Sequence, residues 1–177
     1  INLDTEEVGK IYVSSAGGAT LKLSSKVENY SLDKEDKVYL IEILGLKGGH
    51  SGAEIHLNLG NSIKILSKLL KHLSINHNYE LIEIDGGNKD NAIPREAHAK
   101  IATRSSIDSI KELLDKFIVV EKDNYPEELG LRYEIKEISD NSLRKISDRD
   151  THKLVSFYNE FPHGVRTMSQ RTCSNIT

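Results

Sequence analysis

The sequence predicts an α+β domain of the ferredoxin-like class, in which two helices pack on one face of an antiparallel sheet. The prediction rests on residues 38–138, where apolar periods of two and of 3.6 residues alternate in the order β-α-β-β-α-β. An extra N-terminal strand is predicted over 20–27 from the alternation of Leu21, Leu23 and Val27. An extra C-terminal helix is predicted over 148–161.

The four core strands are predicted from short runs of branched or alternating apolar residues, bounded by polar and glycine-containing turns. In the third strand the inward positions are Ala97, Ala99 and Ile101, whose small side chains leave room for a helix to pack closely. The predicted strands cover residues 38–46, 79–85, 96–103 and 131–138.

The helices are predicted from apolar stripes and from capping residues at their starts. The first, over 59–73, follows a stripe of residues spaced by four and three, with Asn58 or Asn61 as its cap. The second begins after Ser106 and runs to about residue 120. The third begins at a capping box formed by Ser147 and Asp150. The stripe of the first helix consists of Leu59, Ile63, Leu66, Leu70 and Leu73.

The composition indicates one globular domain and excludes several function classes. The chain has 177 residues, 37% of them hydrophobic, which is enough for a real core. Its net charge of -3, with basic and acidic residues interspersed, argues against nucleic acid or an anionic membrane as a partner. No apolar run approaches the roughly 20 residues that span a bilayer. The single cysteine, Cys173, cannot form an intrachain disulfide, so nothing indicates an oxidising compartment.

A glycine-rich turn around His50 is the first candidate site. Gly48-Gly49-His50-Ser51-Gly52 lies between a predicted strand and a predicted helix. Glycines allow another chain to approach closely, and an exposed imidazole can donate a hydrogen bond, carry a proton or bind a metal near neutral pH. A surface turn with an incidental histidine fits this segment equally well.

Asp4 and Asn91 are two further candidates. Asp4 opens an acidic cluster, and its carboxylate is a possible zinc ligand, although a solvated acidic turn explains it as well. Asn91 offers one acceptor and two donors, which suit a peptide or carboxylate ligand; alternatively it holds its own turn. In the predicted topology the turns with His50 and Asn91 can meet at one end of the sheet, so we expect one ligand site.

The remaining polar motifs are weaker. His163 lies in a Pro-His-Gly turn, and its role stays open. The segment 103–106 could bind an anion at a helix start, but a helix cap with an exposed Arg104 explains it more simply. Cys173 has no base near it in sequence and does not predict a thiol nucleophile. The other histidines are expected to be structural or solvated: His56, His72, His77, His98 and His152.

Several motifs together resemble a known family. They are, in order, Leu3-Asp4-Thr5-Glu6-Glu7, Ala16-Gly17-Gly18, Gly48-Gly49-His50-Ser51-Gly52 with Ile55-His56, Asn91-Ala92-Ile93-Pro94-Arg95-Glu96-Ala97, Phe161-Pro162-His163-Gly164-Val165 and Met168-Ser169. In this order they resemble the bacterial Xaa-His (aminoacyl-histidine) dipeptidases, relatives of carnosinase and of succinyl-diaminopimelate desuccinylase. The resemblance implies a cytoplasmic, zinc-dependent metallopeptidase with a two-zinc catalytic domain. It also implies an inserted lid domain that closes over the dipeptide substrate and forms the homodimer.

The resemblance also implies roles for individual residues. Residues 1–17 would be a remnant of the catalytic domain, and residues 18–177 would be the lid and dimerisation domain. Asp4 would ligate one zinc, His50 would stabilise the oxyanion in the partner subunit's active site, and Asn91 would contact the substrate. The family's His-x-Asp motif, bridging Asp, general base and last metal-binding His are missing. We therefore expect the chain, which starts at Ile1 without Met, to be a fragment that is inactive alone.

Two alternatives remain open from the sequence. One is a stand-alone ferredoxin-like module that binds a small molecule and dimerises through its sheet. The other is the lid domain of a related deacylase.

Overall fold

A four-stranded antiparallel sheet forms the centre of the computed structural model, which describes residue 9 and residues 17–167. The strand order is β4-β6-β2-β7, and neighbouring strands are antiparallel throughout. With two crossing helices, this order is the ferredoxin-like arrangement, so the predicted fold class is confirmed. The sheet strands are β2 (Lys37–Leu44), β4 (Tyr79–Gly86), β6 (Ala97–Thr103) and β7 (Arg132–Ile138).

Helices α1 (Ser62–Leu73) and α2 (Ile107–Asn124) pack against the sheet and enclose the core. The predicted inward positions of β6, Ala97, Ala99 and Ile101, are buried in this core. Burial of such apolar side chains is the main term that stabilises the fold, at about 25 cal/mol per Å². The largest fully buried side chains are Tyr39, Ile41, Ile43, Ile65, Leu66, Leu69, Leu70, Leu73, Leu81, Ile101, Ile110 and Leu114.

Helix α1 begins later than the predicted start at residue 59. Asn58 has a left-handed backbone with φ of 54°, which ends a single 3-10 turn over Ile55–Leu57. Asn61 is the N-cap, and its side chain accepts a hydrogen bond from the backbone N–H of Lys64. Leu59 belongs to the predicted apolar stripe but lies before the helix, where its side chain packs against Gly49.

The N-terminal strand exists, but its predicted position over 20–27 is wrong. Leu21 and Leu23 are 76% and 62% exposed, and only Val27 of the predicted stripe packs on the core. The strand is instead β1 (Asn29–Ser31), which pairs with β8 (Arg144–Ile146). Alternation alone does not make a strand, because the backbone also needs a partner with which to form a hydrogen-bonded ladder.

The predicted C-terminal helix is α3 (Asp148–Glu160). Hydrogen bonds at its start connect it to Glu28, the residue before β1. The Ser147 hydroxyl caps the helix by accepting from the backbone N–H of Asp150, as expected. The second half of the capping box differs, since the Asp150 carboxylate accepts from the N–H of Glu28 at 3.1 Å. That backbone hydrogen bond holds the pKa of Asp150 below its usual value.

The outer edge of β4 is covered by α3 and by the β1–β8 pair. The backbone N–H of Leu81 donates to Thr151 Oγ1 of α3 at 2.9 Å. The buried Lys145 ammonium of β8 bonds three carboxylates at 2.8–2.9 Å, one of them on β4. Burial alone lowers the pKa of Lys145, but these hydrogen bonds raise it overall, so the ammonium stays charged. The three carboxylates are those of Asp33, Asp36 and Glu80.

We predict that Gly45→Ala destabilises the protein by about 2 kcal/mol or more. Gly45 follows β2 with φ of 80°, and a Cβ there would overlap the carbonyl oxygen of Gly130. The measurement is the midpoint of urea unfolding. Gly17→Ala is the matched control, because its Cβ would meet nothing within 4 Å. Equal loss of stability in the two variants would contradict the prediction.

Candidate functional site

A short two-stranded ribbon brings His50 and Asn91 together. Strand β3 (Gly49–His50) pairs antiparallel with β5 (Ala92–Ile93), and His50 lies opposite Ala92. The backbone N–H of Ser51 donates to the carbonyl oxygen of Asn91 at 2.9 Å. Both His50 and Asn91 are exposed at the end of this ribbon. The expectation that the two turns meet is therefore confirmed in geometry.

The His50 ring is oriented by the backbone of its own turn. Its Nδ1 atom lies 3.1 Å from the backbone nitrogens of both Gly52 and Ala53. A backbone N–H can only donate, so Nδ1 is the acceptor and the proton of the neutral ring is on Nε2. The exposed side chain therefore presents an N–H donor to whatever approaches the ribbon.

The glycines of the turn are required by close contacts. Gly48 has φ of 70°, and a Cβ there would overlap the side chain of Arg95. A Cβ on Gly49 would lie 2.8 Å from Leu59 Cδ1, and one on Gly52 would lie 3.3 Å from His50 Cε1. At Gly48 and Gly49 the turn passes so close to Arg95 and Leu59 that a side chain on either glycine would force these neighbours to move.

Two carboxylates that the sequence analysis missed also shape this segment. Glu54 Oε2 accepts from the N–H of His50 at 2.7 Å, and the Glu54 N–H donates back to the His50 carbonyl oxygen at 2.9 Å. The buried Glu128 accepts from the backbone N–H groups of Lys47 and Gly60, both at 2.8 Å. Glu54 is close to His50 in sequence, so local turn chemistry could have indicated it. Glu128 is 68 and 81 residues from its partners, and no sequence period reports such a contact.

An open cavity of about 510 Å³ borders the ribbon at β5. Its lining includes Ala92 and Ile93 of that strand and the charged side chains of Asp85, Arg95 and Glu96. A larger cavity of about 850 Å³ is lined by other residues. Neither cavity is lined by His50 or Asn91, and the smaller one adjoins the candidate site only through β5.

His163, whose role the sequence left open, belongs to the start of α1. Its Nδ1 lies 3.2 Å from Nδ2 of Asn61, the N-cap residue. Partial burial, and then the nearby Lys64 ammonium, lower the pKa of His163. Lys64 itself donates to the carbonyl oxygens of Tyr158, Asn159 and Phe161 at 2.6–2.8 Å. These contacts fasten the end of α3 and the following turn to α1.

The other candidates do not form a second site in the described part of the chain. Asp4, Met168-Ser169 and Cys173 lie outside the described residues. Within those described, no three His, Cys, Asp or Glu side chains converge as a metal site. Arg104 pairs with Glu35 on the surface, and Ser106 caps α2, as the simpler interpretation expected. No helix in this part of the chain has the length and apolar character needed to cross a bilayer.

Comparisons with known proteins agree with this fold. Residues 41–128 match the model of the peptidase dimerisation domain. Over 168 residues the chain is 34% identical to the cytosol non-specific dipeptidase of Escherichia coli (strain K12), covering 93% of the chain and 34% of that protein. The crystal structure of aminoacylhistidine dipeptidase from Vibrio alginolyticus matches with a TM-score of 0.78 and 26% identity, over 85% of this chain and 31% of that one.

The fold and the matched segment identify residues 41–128 as a peptidase dimerisation domain. The two relatives are a non-specific dipeptidase and an aminoacylhistidine dipeptidase, the type of enzyme that the sequence motifs resemble. The chain spans about a third of the length of the two relatives.

We predict that neutral His50 carries its ring proton on Nε2. Two backbone donors at Nδ1 leave no room for a proton on that atom. Long-range ¹H–¹⁵N spectra of the histidine side chains measure the tautomer directly. The exposed His56, on the neighbouring 3-10 turn, is the comparison within the same spectrum. A His50 ring protonated on Nδ1, or an even mixture of tautomers, would refute the prediction.

Proposed function

We propose that this chain is the lid and dimerisation domain of a cytoplasmic, zinc-dependent dipeptidase that hydrolyses Xaa-His dipeptides. The observation that carries the proposal is the Nε2 donor of His50, exposed on the same ribbon as Asn91. The similarity to two dipeptidases supports the reaction class. The chain would supply hydrogen-bonding groups to an active site whose remaining parts lie elsewhere in the enzyme.

His50 is assigned the role of oxyanion donor. Attack on a peptide carbonyl places negative charge on its oxygen, and a fixed donor aimed at that charge stabilises the transition state more than the substrate. The backbone bonds to Nδ1 fix both the tautomer and the ring, so the Nε2–H needs no rearrangement during the reaction. In the dimer this donor would reach the active site of the partner subunit.

Asn91 is assigned to substrate binding. Its backbone carbonyl is already bonded to Ser51, which fixes the residue beside His50. Its exposed side-chain amide offers an acceptor and two donors, which match the peptide and carboxylate groups of a dipeptide.

The zinc ions are assigned to parts of the enzyme outside the described residues. The described side chains do not fit a metal site, since no suitable cluster occurs among them. Asp4 is proposed as a ligand of one zinc on the resemblance of its motif alone. When bound, zinc supplies Lewis-acid chemistry. In the reaction itself, residues 17–167 are assigned only substrate binding and charge stabilisation.

His50→Ala in the intact enzyme is expected to lower kcat by about a hundred- to thousandfold, because one oxyanion donor is lost. Steady-state kinetics on an Xaa-His dipeptide measure the effect, and metal analysis should show normal zinc content. His152→Ala is the matched control, since His152 is exposed on α3 and lies outside the ribbon. An unchanged rate in His50→Ala would refute the assigned role.

The two alternatives make different predictions for the same protein. Hydrolysis of acylated amino acids in preference to Xaa-His dipeptides would favour a deacylase. A gene that encodes this domain without adjoining peptidase sequence would favour a stand-alone binding module.

The dimer is proposed to form through β7 and the adjoining side of α2. The edge of β4 is covered by α3, whereas β7 ends the sheet among the described strands. Tyr133 of β7 donates to Asp115 of α2, which places that side of the helix beside the open edge. Val119 lies one turn further along and is 59% exposed. An open edge with an apolar neighbour is suited to pairing with a second copy of the chain.

Val119→Glu is therefore expected to shift the intact enzyme from dimer to monomer, because a charge would be buried at the interface. Light scattering after size-exclusion chromatography measures the mass. Ile75→Glu is the matched control, since Ile75 is 71% exposed beyond the end of α1. A Val119→Glu enzyme that remains fully dimeric would place the interface elsewhere.

A further inference from the structure

We infer that Glu128 is a positioning residue that holds together the two ends of residues 47–60, here called the His50 segment. The inference rests on the proposed function of His50. Glu128 lies between α2 and β7 and is 2% exposed, so its carboxylate is nearly removed from water. A buried carboxylate is costly unless its oxygens are satisfied. Among the described residues it has no Lys, Arg or His partner within salt-bridge distance.

The two carboxylate oxygens bind opposite ends of the His50 segment. Oε2 accepts from the backbone N–H of Lys47 at 2.8 Å, and Oε1 accepts from the backbone N–H of Gly60 at 2.8 Å. Hydrogen bonds to an ionised acceptor are stronger than those between neutral groups. One rigid planar group therefore fixes the separation of the two ends.

The surrounding backbone is shaped for this contact. A Cβ on Gly60 would lie 2.7 Å from Leu46 Cδ2 and 3.3 Å from Glu128 Cγ. At the other end, Gly45 and Gly130 approach so closely that a side chain on either would overlap the other's carbonyl oxygen. Glycine at these positions lets the backbone around Glu128 come close to the two ends of the His50 segment.

The contact matters for His50 because the segment has little regular structure of its own. Within it, Glu54 binds the backbone of His50 and the turn orients the ring. The β3–β5 ribbon connects the middle of the segment to the rest of the domain, and Glu128 connects its two ends, so the position of His50 Nε2 depends on both contacts. A displacement of about 1 Å in a reacting group can cost about a hundredfold in rate.

Glu128→Gln in the intact dipeptidase tests this role. The substitution keeps the size of the side chain but replaces one acceptor oxygen with a donor, leaving one backbone N–H without its partner. We expect kcat to fall by about tenfold or more, with KM changed by less than about threefold. Glu127→Gln is the matched control, because Glu127 is exposed and its one salt bridge among the described residues is with the Lys47 side chain. Its kcat should stay within about twofold of wild type.

A double-mutant cycle with His50→Ala separates positioning from a general loss of structure. If Glu128 acts through His50, adding Glu128→Gln to His50→Ala should lower kcat by less than about twofold further. An equal loss in both backgrounds, or no loss in wild type, would overturn the inference while leaving the role of His50 intact. If His50→Ala alone leaves kcat unchanged, the proposed function fails instead.

Hydrogen exchange gives a readout that does not depend on activity. In Glu128→Gln, amide exchange in residues 47–60 should become faster while exchange in α1 stays at the wild-type rate. Wild-type exchange throughout residues 47–60 would overturn the inference. If exchange in α1 also rises, Glu128→Asp replaces the variant, because it keeps the charge and shortens the side chain by one methylene. Its kcat should also fall, and an unchanged kcat would overturn the inference.

Discussion

Burial of strand β2 fixes the position of the His50 segment relative to the sheet. Its inward residues Tyr39, Ile41 and Ile43 are fully buried in the core, and β6 and β7 pair with β2 on either side. The chain leaves the end of β2 through Gly45 and enters the His50 segment directly. The irregular segment therefore starts from the most rigid part of the domain, which is where a functional side chain can be placed accurately.

Acceptors supplied by side chains organise the segment beyond β2. A segment with few regular hydrogen bonds must find other partners for its backbone N–H groups. Here the acceptors are His50 Nδ1, the Glu54 carboxylate and the Glu128 carboxylate. The same bonds that satisfy the backbone also fix the tautomer and position of the imidazole. The local structure and the proposed chemistry thus depend on one set of contacts.

The sequence predicted the parts of this protein that depend on local periodicity. The four core strands, the helix caps at Asn61, Ser106 and Ser147, and the adjacency of His50 and Asn91 follow from short-range patterns and from the order of elements. The strand over 20–27 was wrong because pairing depends on a distant partner. Strand β8 and the β3–β5 ribbon are too short to show a period. Glu128 could not be predicted, because its contacts join segments far apart in the sequence.

Pro162 and the Lys64 ammonium together mark the end of α3. In a continuing helix, the N–H of residue 162 would bond the carbonyl oxygen of Tyr158, but Pro162 has no N–H to donate. Lys64 donates to the Tyr158 carbonyl oxygen in place of that missing N–H, and it also donates to the carbonyl oxygens of Asn159 and Phe161. Another turn of helix would have to displace an ammonium that reaches across from α1. The point at which the chain turns away from α3 is thus stabilised by a residue nearly a hundred positions earlier, so insertions at this junction should be poorly tolerated.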